Sequence, residues 1–194
     1  TPVPTPSNDN TSSYTFYSTL PGTINYGGSC DSDNTSAASA DNNTVTFDAL
    51  PDNTYNNCRI SVTTSSGVVS DNLSVTSFVI DTTPPEIRIA TISSNNDNTT
   101  IAKIGDRITL ELTFDEAVNI SNVLIAGQSA TVSRVSGYTR WRATYTMQSS
   151  DSEGSVSLSV AFVDWVGNTA TTVTSTSDGS AVQFDKTAPS LSQV

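Results

Sequence analysis

The chain has 194 residues, enough for one large or two small domains; 35 % are hydrophobic, only 14 % are charged, and the net charge is −11. That balance argues against nucleic acid and against insertion into or binding of anionic membranes, since neither phosphates nor headgroups would meet a basic patch. It favours hard cations, calcium first, whose preferred ligands are carboxylate and carbonyl oxygens. The absence of histidine removes Ser-His-Asp and Cys-His catalysis and histidine-ligated zinc.

Residues 1–12, with Pro2, Pro4 and Pro6, read as an extended linker running into an edge strand. Strand-like runs follow at Tyr14–Thr19, Thr23–Tyr26, Thr44–Ala49, Arg59–Thr64 and Leu73–Ile80, separated by turn signals at Pro21-Gly22, Gly27-Gly28, Pro51-Asp52-Asn53 and Ser66-Gly67. In this half Arg59 stands alone against Asp9, Asp31, Asp33, Asp41, Asp48, Asp52, Asp71 and Asp81. The phrase Asp81-Thr82-Thr83-Pro84-Pro85 then closes a β-like run. Proline donates no ladder hydrogen bond and restricts its predecessor, so the phrase makes a poor strand interior and a good stiff junction.

Beyond it the runs lengthen: Glu86–Ile92, Arg107–Phe114, Asn122–Ile125, Ala130–Val135, Trp141–Met147, Ser155–Val163, Thr169–Thr174 and Ala181–Phe184. The junction phrase recurs as Asp185-Lys186-Thr187-Ala188-Pro189. The chain therefore reads as one domain over 1–83, a second over 84–194 that ends in a linker, and a third cut off after Val194. Short strands with a turn every 8–12 residues and no helical period give an all-β fold, two tandem immunoglobulin-like β-sandwich domains.

Cys30 and Cys58 are the only cysteines. A disulfide is the favoured reading and implies an oxidising, extracytoplasmic setting; two buried free thiols are the alternative. If Thr23–Tyr26 is strand C and Arg59–Thr64 strand F of one sheet, the two cysteines lie at the same end of neighbouring strands. Leu50-Pro51-Asp52-Asn53-Thr54-Tyr55 ahead of Cys58 has the form of a tyrosine corner, with a merely buried core tyrosine as the other reading. No run approaches the roughly 20 apolar residues of a membrane span and no signal peptide is present, which points to a piece of a longer secreted chain.

The second domain carries Asp81-Thr82-Thr83-Pro84-Pro85, Gly105-Asp106-Arg107-Ile108-Thr109-Leu110, Phe114-Asp115-Glu116-Ala117-Val118 and Val163-Asp164-Trp165-Val166-Gly167-Asn168. In these it resembles the bacterial immunoglobulin-like repeats that build the extension regions of large surface adhesins. The first domain, with Pro21–Cys30 and Leu50–Cys58, resembles a shorter, disulfide-bearing relative. The resemblance implies a repeat architecture and calcium at domain junctions, and it implies no particular ligand.

Topology gathers the candidate ligands. Strand B ends at Asp115 and Glu116, strand F ends at Asp164 followed by Asn168, and the junction supplies Asp81; Asp52 belongs to the foot of the first domain. Such carboxylates repel one another unless a cation sits among them, so Asp81, Asp115, Glu116, Asp164, Asn168 and Asp52 are the expected interdomain calcium ligands. Solvated loop aspartates around an ordinary turn are the competing reading. The first domain's corresponding turn has Thr64 and Val68 in place of Asp164 and Asn168, so no calcium is expected there. Cys30-Asp31-Ser32-Asp33-Asn34 is not an EF-hand, because its sixth and twelfth positions, Ser36 and Asn42, lack the needed glycine and glutamate.

Trp141 alternates with Ala143 and Tyr145 as a packing residue, and Trp165, in the polar F–G turn, is expected to pack across the interdomain joint rather than to stack on a sugar. The sequons at Asn10, Asn34, Asn42, Asn72, Asn98 and Asn119 are what an Asn/Ser/Thr-rich chain yields by chance. A monomeric stalk or spacer of a cell-surface or secreted protein, partnered by neighbouring repeats, is the leading expectation. A module that recognises a glycan or protein is second. A glycosidase built on Asp115 and Glu116 is a distant third, and no enzyme is expected.

Overall fold

The computed structural model describes every residue except Asn34, Thr35 and Val194, so the Asn34 sequon lies outside the described residues. The chain divides into two compact units, Thr1–Thr83 and Pro84–Val194, both all-β. Among the described residues no helix is long and apolar enough to cross a membrane.

The first unit contains β1 (Ser13–Tyr17), β2 (Gly22–Gly27), β3 (Ala37–Ala38), β4 (Asn42–Thr46), β5 (Asn53–Tyr55), β6 (Arg59–Thr63), β7 (Leu73–Ser74) and β8 (Phe78–Ile80). They form a sheet of order β3-β2-β6-β7, a pair β1-β4 and a pair β5-β8. Alternation supplies the core: Ile24, Ile60 and Val62 face inward from the larger sheet, and Phe16 and Val45 from β1 and β4. Phe78 lies between Phe47 and Tyr55, its ring centroid 6.1 Å from the first and 5.2 Å from the second. Each such apolar side chain contributes about 1.5–3 kcal/mol through burial.

Strands β2 and β6 are antiparallel neighbours, with Gly27 opposite Arg59, which brings Cys30 and Cys58 to the same end. The two are joined by a disulfide, Cα atoms 5.3 Å apart, within one face of the fold rather than between sheets. Gly28, at φ 81°, lies against the Asn57 carbonyl oxygen, where any Cβ would collide. The tyrosine corner is present: the buried Tyr55 hydroxyl donates to the Pro51 carbonyl over 2.7 Å.

The expected strand Leu73–Ile80 is split. Strand β7 pairs with β6, and β8 pairs with β5, because the partner chain turns between Tyr55 and Cys58 and interrupts the ladder. The Val75 N–H bridges the gap by donating to the Cys58 carbonyl.

The second unit contains β9 (Ile87–Ser94), β10 (Ile101–Ala102), β11 (Arg107–Phe114), β12 (Val118–Ile125), β13 (Gln128–Ser129), β14 (Thr131–Ser136), β15 (Arg140–Thr146), β16 (Gly154–Ser155), β17 (Leu158–Asp164) and β18 (Gln183–Phe184). One sheet has the order β14-β15-β11-β9 and the other β13-β12-β17, the D-E-B-A and C-F arrangement of an immunoglobulin-like sandwich. A small third sheet runs β10-β18-β16. Strand β11 alternates strictly, with Ile108, Leu110, Leu112 and Phe114 buried; Leu158, Val160 and Phe162 of β17 answer them. Phe114 and Phe162 meet edge to face at 4.7 Å.

The expected strand Thr169–Thr174 is reduced to two isolated bridges on β17, Thr169 with Val163 and Val173 with Val160. The stretch between those bridges is one residue longer on this segment than on β17, so a continuous ladder cannot form.

Because the disulfide closes a loop of separation 28, its reduction should cost the first unit about 3–4 kcal/mol on the chain-entropy model. Denaturant unfolding followed with and without reductant should show one transition moving to lower midpoint while that of the second unit stays. Two unmoved transitions would show that the loop was already constrained in the unfolded chain.

Candidate functional site

Period-two alternation sets the chemistry at one end of the second unit. Leu158, Val160 and Phe162 point into the core, and the same phase carries Asp164, the last residue of β17, to the buried face. A lone buried carboxylate is costly, so acceptor capacity must be met locally. The turn Asp164–Asn168 does this. Asp164 Oδ1 accepts the N–H groups of Val166 at 2.8 Å, Gly167 at 2.7 Å and Asn168 at 2.9 Å, and Oδ2 accepts the Asn168 amide at 2.8 Å. Gly167, at φ 103°, supplies the left-handed residue that aims these groups inward.

The first unit repeats the turn with weaker chemistry. Thr64 N–H donates to the Val68 carbonyl at 2.9 Å, as Asp164 N–H does to that of Asn168 at 3.2 Å. There the Thr64 hydroxyl, rather than a carboxylate, accepts the Val68 N–H.

Strand β11 ends beside the start of β9, Phe114 opposite Ile87, and β12 begins opposite the end of β17, Val118 opposite Asp164. The B–C turn and the F–G turn therefore share one end of the sandwich. Glu116, half-buried, offers a carboxylate oxygen within 4.8 Å of one from Asp164. Two unit charges at that separation repel by about 3 kcal/mol at an effective dielectric constant of about 20, which the N–H donors around Asp164 offset in part.

The other expected ligands have hydrogen bonds of their own. Asp115 Oδ1 accepts the Glu86 N–H at 2.8 Å, and Oδ2 pairs with Arg88 at 3.6 Å, tying the incoming chain to the B–C turn. Asn168 serves Asp164, as above. Asp52, in the first unit, accepts the Thr82 N–H at 2.8 Å and hydroxyl at 2.7 Å through Oδ1, and the Thr83 hydroxyl at 2.5 Å through Oδ2. Asp81 follows β8; its N–H donates to the Ser7 carbonyl and its Oδ1 accepts the Thr83 N–H at 3.2 Å. The role of Asp52 as a linker contact was not legible in the sequence, since 30 residues separate it from Thr82.

Trp141 is half-buried against the core and donates its indole N–H to the Tyr138 carbonyl. Trp165 is 56 % exposed and meets Tyr138 edge on at 4.7 Å within its own unit. The Arg134 guanidinium lies 4.3 Å over the Tyr138 ring.

The strand order of the second unit is that of an immunoglobulin-like module. The family model described as bacterial Ig-like domain matches residues 81–181, and the chain belongs to that family. Among solved structures it is similar to the D00-D0 domain of intimin, at 15 % identity over 94 % of this chain and 97 % of that one, with a TM-score of 0.31. No curated protein matches it.

Asp164→Ala leaves three turn N–H groups without their acceptor, so it should destabilise the second unit by at least about 2 kcal/mol. The denaturant midpoint of that unit reads this, and a change within about 0.5 kcal/mol, typical of an inconsequential surface site, would show that the turn is held otherwise.

The Thr83 hydroxyl, then the Thr82 hydroxyl and N–H, hold the Asp52 carboxyl below the usual carboxylate range. A lowered native pKa means the stabilisation is full above the unfolded value, about 4, and is lost as pH falls through the native one. The Thr82 amide resonance should follow that titration, with a midpoint below that of a free aspartate. Asp52→Asn should remove the titration; a midpoint at or above the ordinary value would contradict the contact.

Proposed function

We propose that this chain is a structural extension segment, a stalk or spacer, of a bacterial cell-surface adhesin, and that calcium stiffens the junction ahead of the second domain. Family membership over residues 81–181 supports the extension role. The observation that carries the calcium reading is the Glu116–Asp164 carboxylate pair at the end of the second unit where its chain enters. Hard oxygen donors at that spacing suit calcium, and Asp81, where the family match begins, would supply a further carboxylate. Asp52 and Asp115, which also accept backbone and hydroxyl donors as Asp164 does, complete the proposed carboxylate set. The partners of such a segment are neighbouring repeats of its own chain, with any host or surface ligand bound by other domains. It acts outside the cell, as a monomer and without catalysis.

The test is calcium titration of the full chain by calorimetry, with thermal unfolding and small-angle scattering in calcium and in chelator. A hundredfold excess over Kd stabilises the binding form by about 2.7 kcal/mol, so the second unit's Tm should rise by several degrees. Glu116→Gln should remove the response, and Asp71→Ala should keep it. Unchanged Tm and maximum dimension on chelation would remove calcium and leave the spacer.

A binding module is the second reading, favoured by the exposed Tyr138–Trp165 pair with Arg134 beside it. Ring faces flanked by a cation suit stacking on a sugar. Quenching of Trp165 fluorescence by a glycan, lost in Trp165→Ala, would establish this reading over the spacer.

A further inference from the structure

Both units finish in the same way, although their sequences there differ. In the first, β8 pairs antiparallel with β5, and Ile80 forms a parallel bridge with Ser7. In the second, β18 pairs antiparallel with β16 and parallel with β10. The next residue is aspartate in each. Asp81 N–H donates to the Ser7 carbonyl and Asp185 N–H to the Ala102 carbonyl, both at 2.9 Å. Each aspartate then accepts the N–H of the threonine two residues on, Thr83 or Thr187.

A carboxylate from the residue ahead of β5 or β16 completes the pattern. Asp52 takes the Thr82 N–H and both threonine hydroxyls. Glu153 takes the Lys186 N–H at 2.9 Å and the Thr187 hydroxyl at 2.6 Å. Lys186 adds two bonds of its own, from Nζ to the carbonyls of Ser149 at 3.0 Å and Asp151 at 2.7 Å. Asp-Thr-Thr with an aspartate and Asp-Lys-Thr with a glutamate thus reach one geometry by different side chains.

We propose that this is a linker clamp: in each unit the carboxylate ahead of the strand that pairs with the last strand locks the first three linker residues onto the domain they leave. The direction in which the chain exits is then set inside each domain, by hydrogen bonds alone, and it needs no metal ion. The clamp does not rest on the calcium reading. Both carboxyls are held below the ordinary range, chiefly by the threonine hydroxyls of Thr83 and Thr187, as donation to the ionised form requires. Lys186 lies beside Glu153, and burial, with the Asp52 charge second, pushes the Tyr55 phenol upward.

The experiment is backbone amide relaxation on the full 194-residue chain, in chelator. Thr82, Thr83, Lys186 and Thr187 should be as ordered as β17, with Leu191–Gln193 as the mobile reference. Glu153→Ala should bring Lys186 and Thr187 at least halfway to the reference while β17 is unchanged. Asp52→Ala should do the same to Thr82 and Thr83. Thr187→Val, which removes only a hydroxyl, should loosen Lys186 and Thr187 less than Glu153→Ala does. Linker residues as mobile as the reference in the wild type, or order that survives both alanine variants, would overturn the clamp. Order that appears only on adding calcium would overturn it too, whereas failure of calcium to bind would leave it intact.

Discussion

A sandwich this poor in apolar residues depends on satisfying backbone donors where its strands end. Strand β11 is paired on both sides, with β9 and β15, and its inward row Ile108, Leu110, Leu112 and Phe114 provides much of the second core. At the ends the chain turns away from its partner, and N–H groups there must find acceptors within a few residues or lose about 1–3 kcal/mol each. Asp164 is the fullest case, with three turn N–H groups gathered on one oxygen. Asp115 at the B–C turn and Asp106, which accepts the Lys103 N–H and the Asn96 amide, follow the same logic.

This changes how the acidity should be understood. Read from composition alone, a net charge of −11 suggests cation binding. Much of the carboxylate complement closes turns: Asp9 accepts from Thr11, Asp151 from Gln148 and Tyr145, and Asp178 from Ser180. Aspartate does this well because its short side chain reaches the amide two residues on. The Glu116–Asp164 pair stands apart, since there a carboxylate that closes a turn also has a second carboxylate close by.

The strands with strict alternation were legible in the sequence, β11 within its actual limits and β17 nearly so, because a period of two in Ile, Leu, Val and Phe has one physical reading. The Cys30–Cys58 pairing was legible because the chain has only these two cysteines, and the Tyr55 corner from the run Leu50–Tyr55 ahead of Cys58. The division of Leu73–Ile80 was hidden because it depends on where another strand turns, and nothing in residues 73–80 announces that. Asp52 was hidden for a similar reason: a carboxylate in a Pro-Asp-Asn turn looks solvent-directed until the last strand returns beside it. Asp164 could have been placed better. It is in phase with Leu158, Val160 and Phe162, and its phase alone makes it a buried group with local partners.

The parallel bridge between Ser7 and Ile80 bears on how the first unit would respond to a pull. Its early and late segments run side by side in the same direction, joined by Ser7 N–H to the Val79 carbonyl and Asp81 N–H to the Ser7 carbonyl. Tension drawn from the two ends of that unit in opposite directions slides these segments past each other. Sliding loads the bonds together, whereas peeling would break them one after another, so the force needed for rupture is set by the group and not by its weakest member. That arrangement makes a few ordinary hydrogen bonds resist sliding as a group.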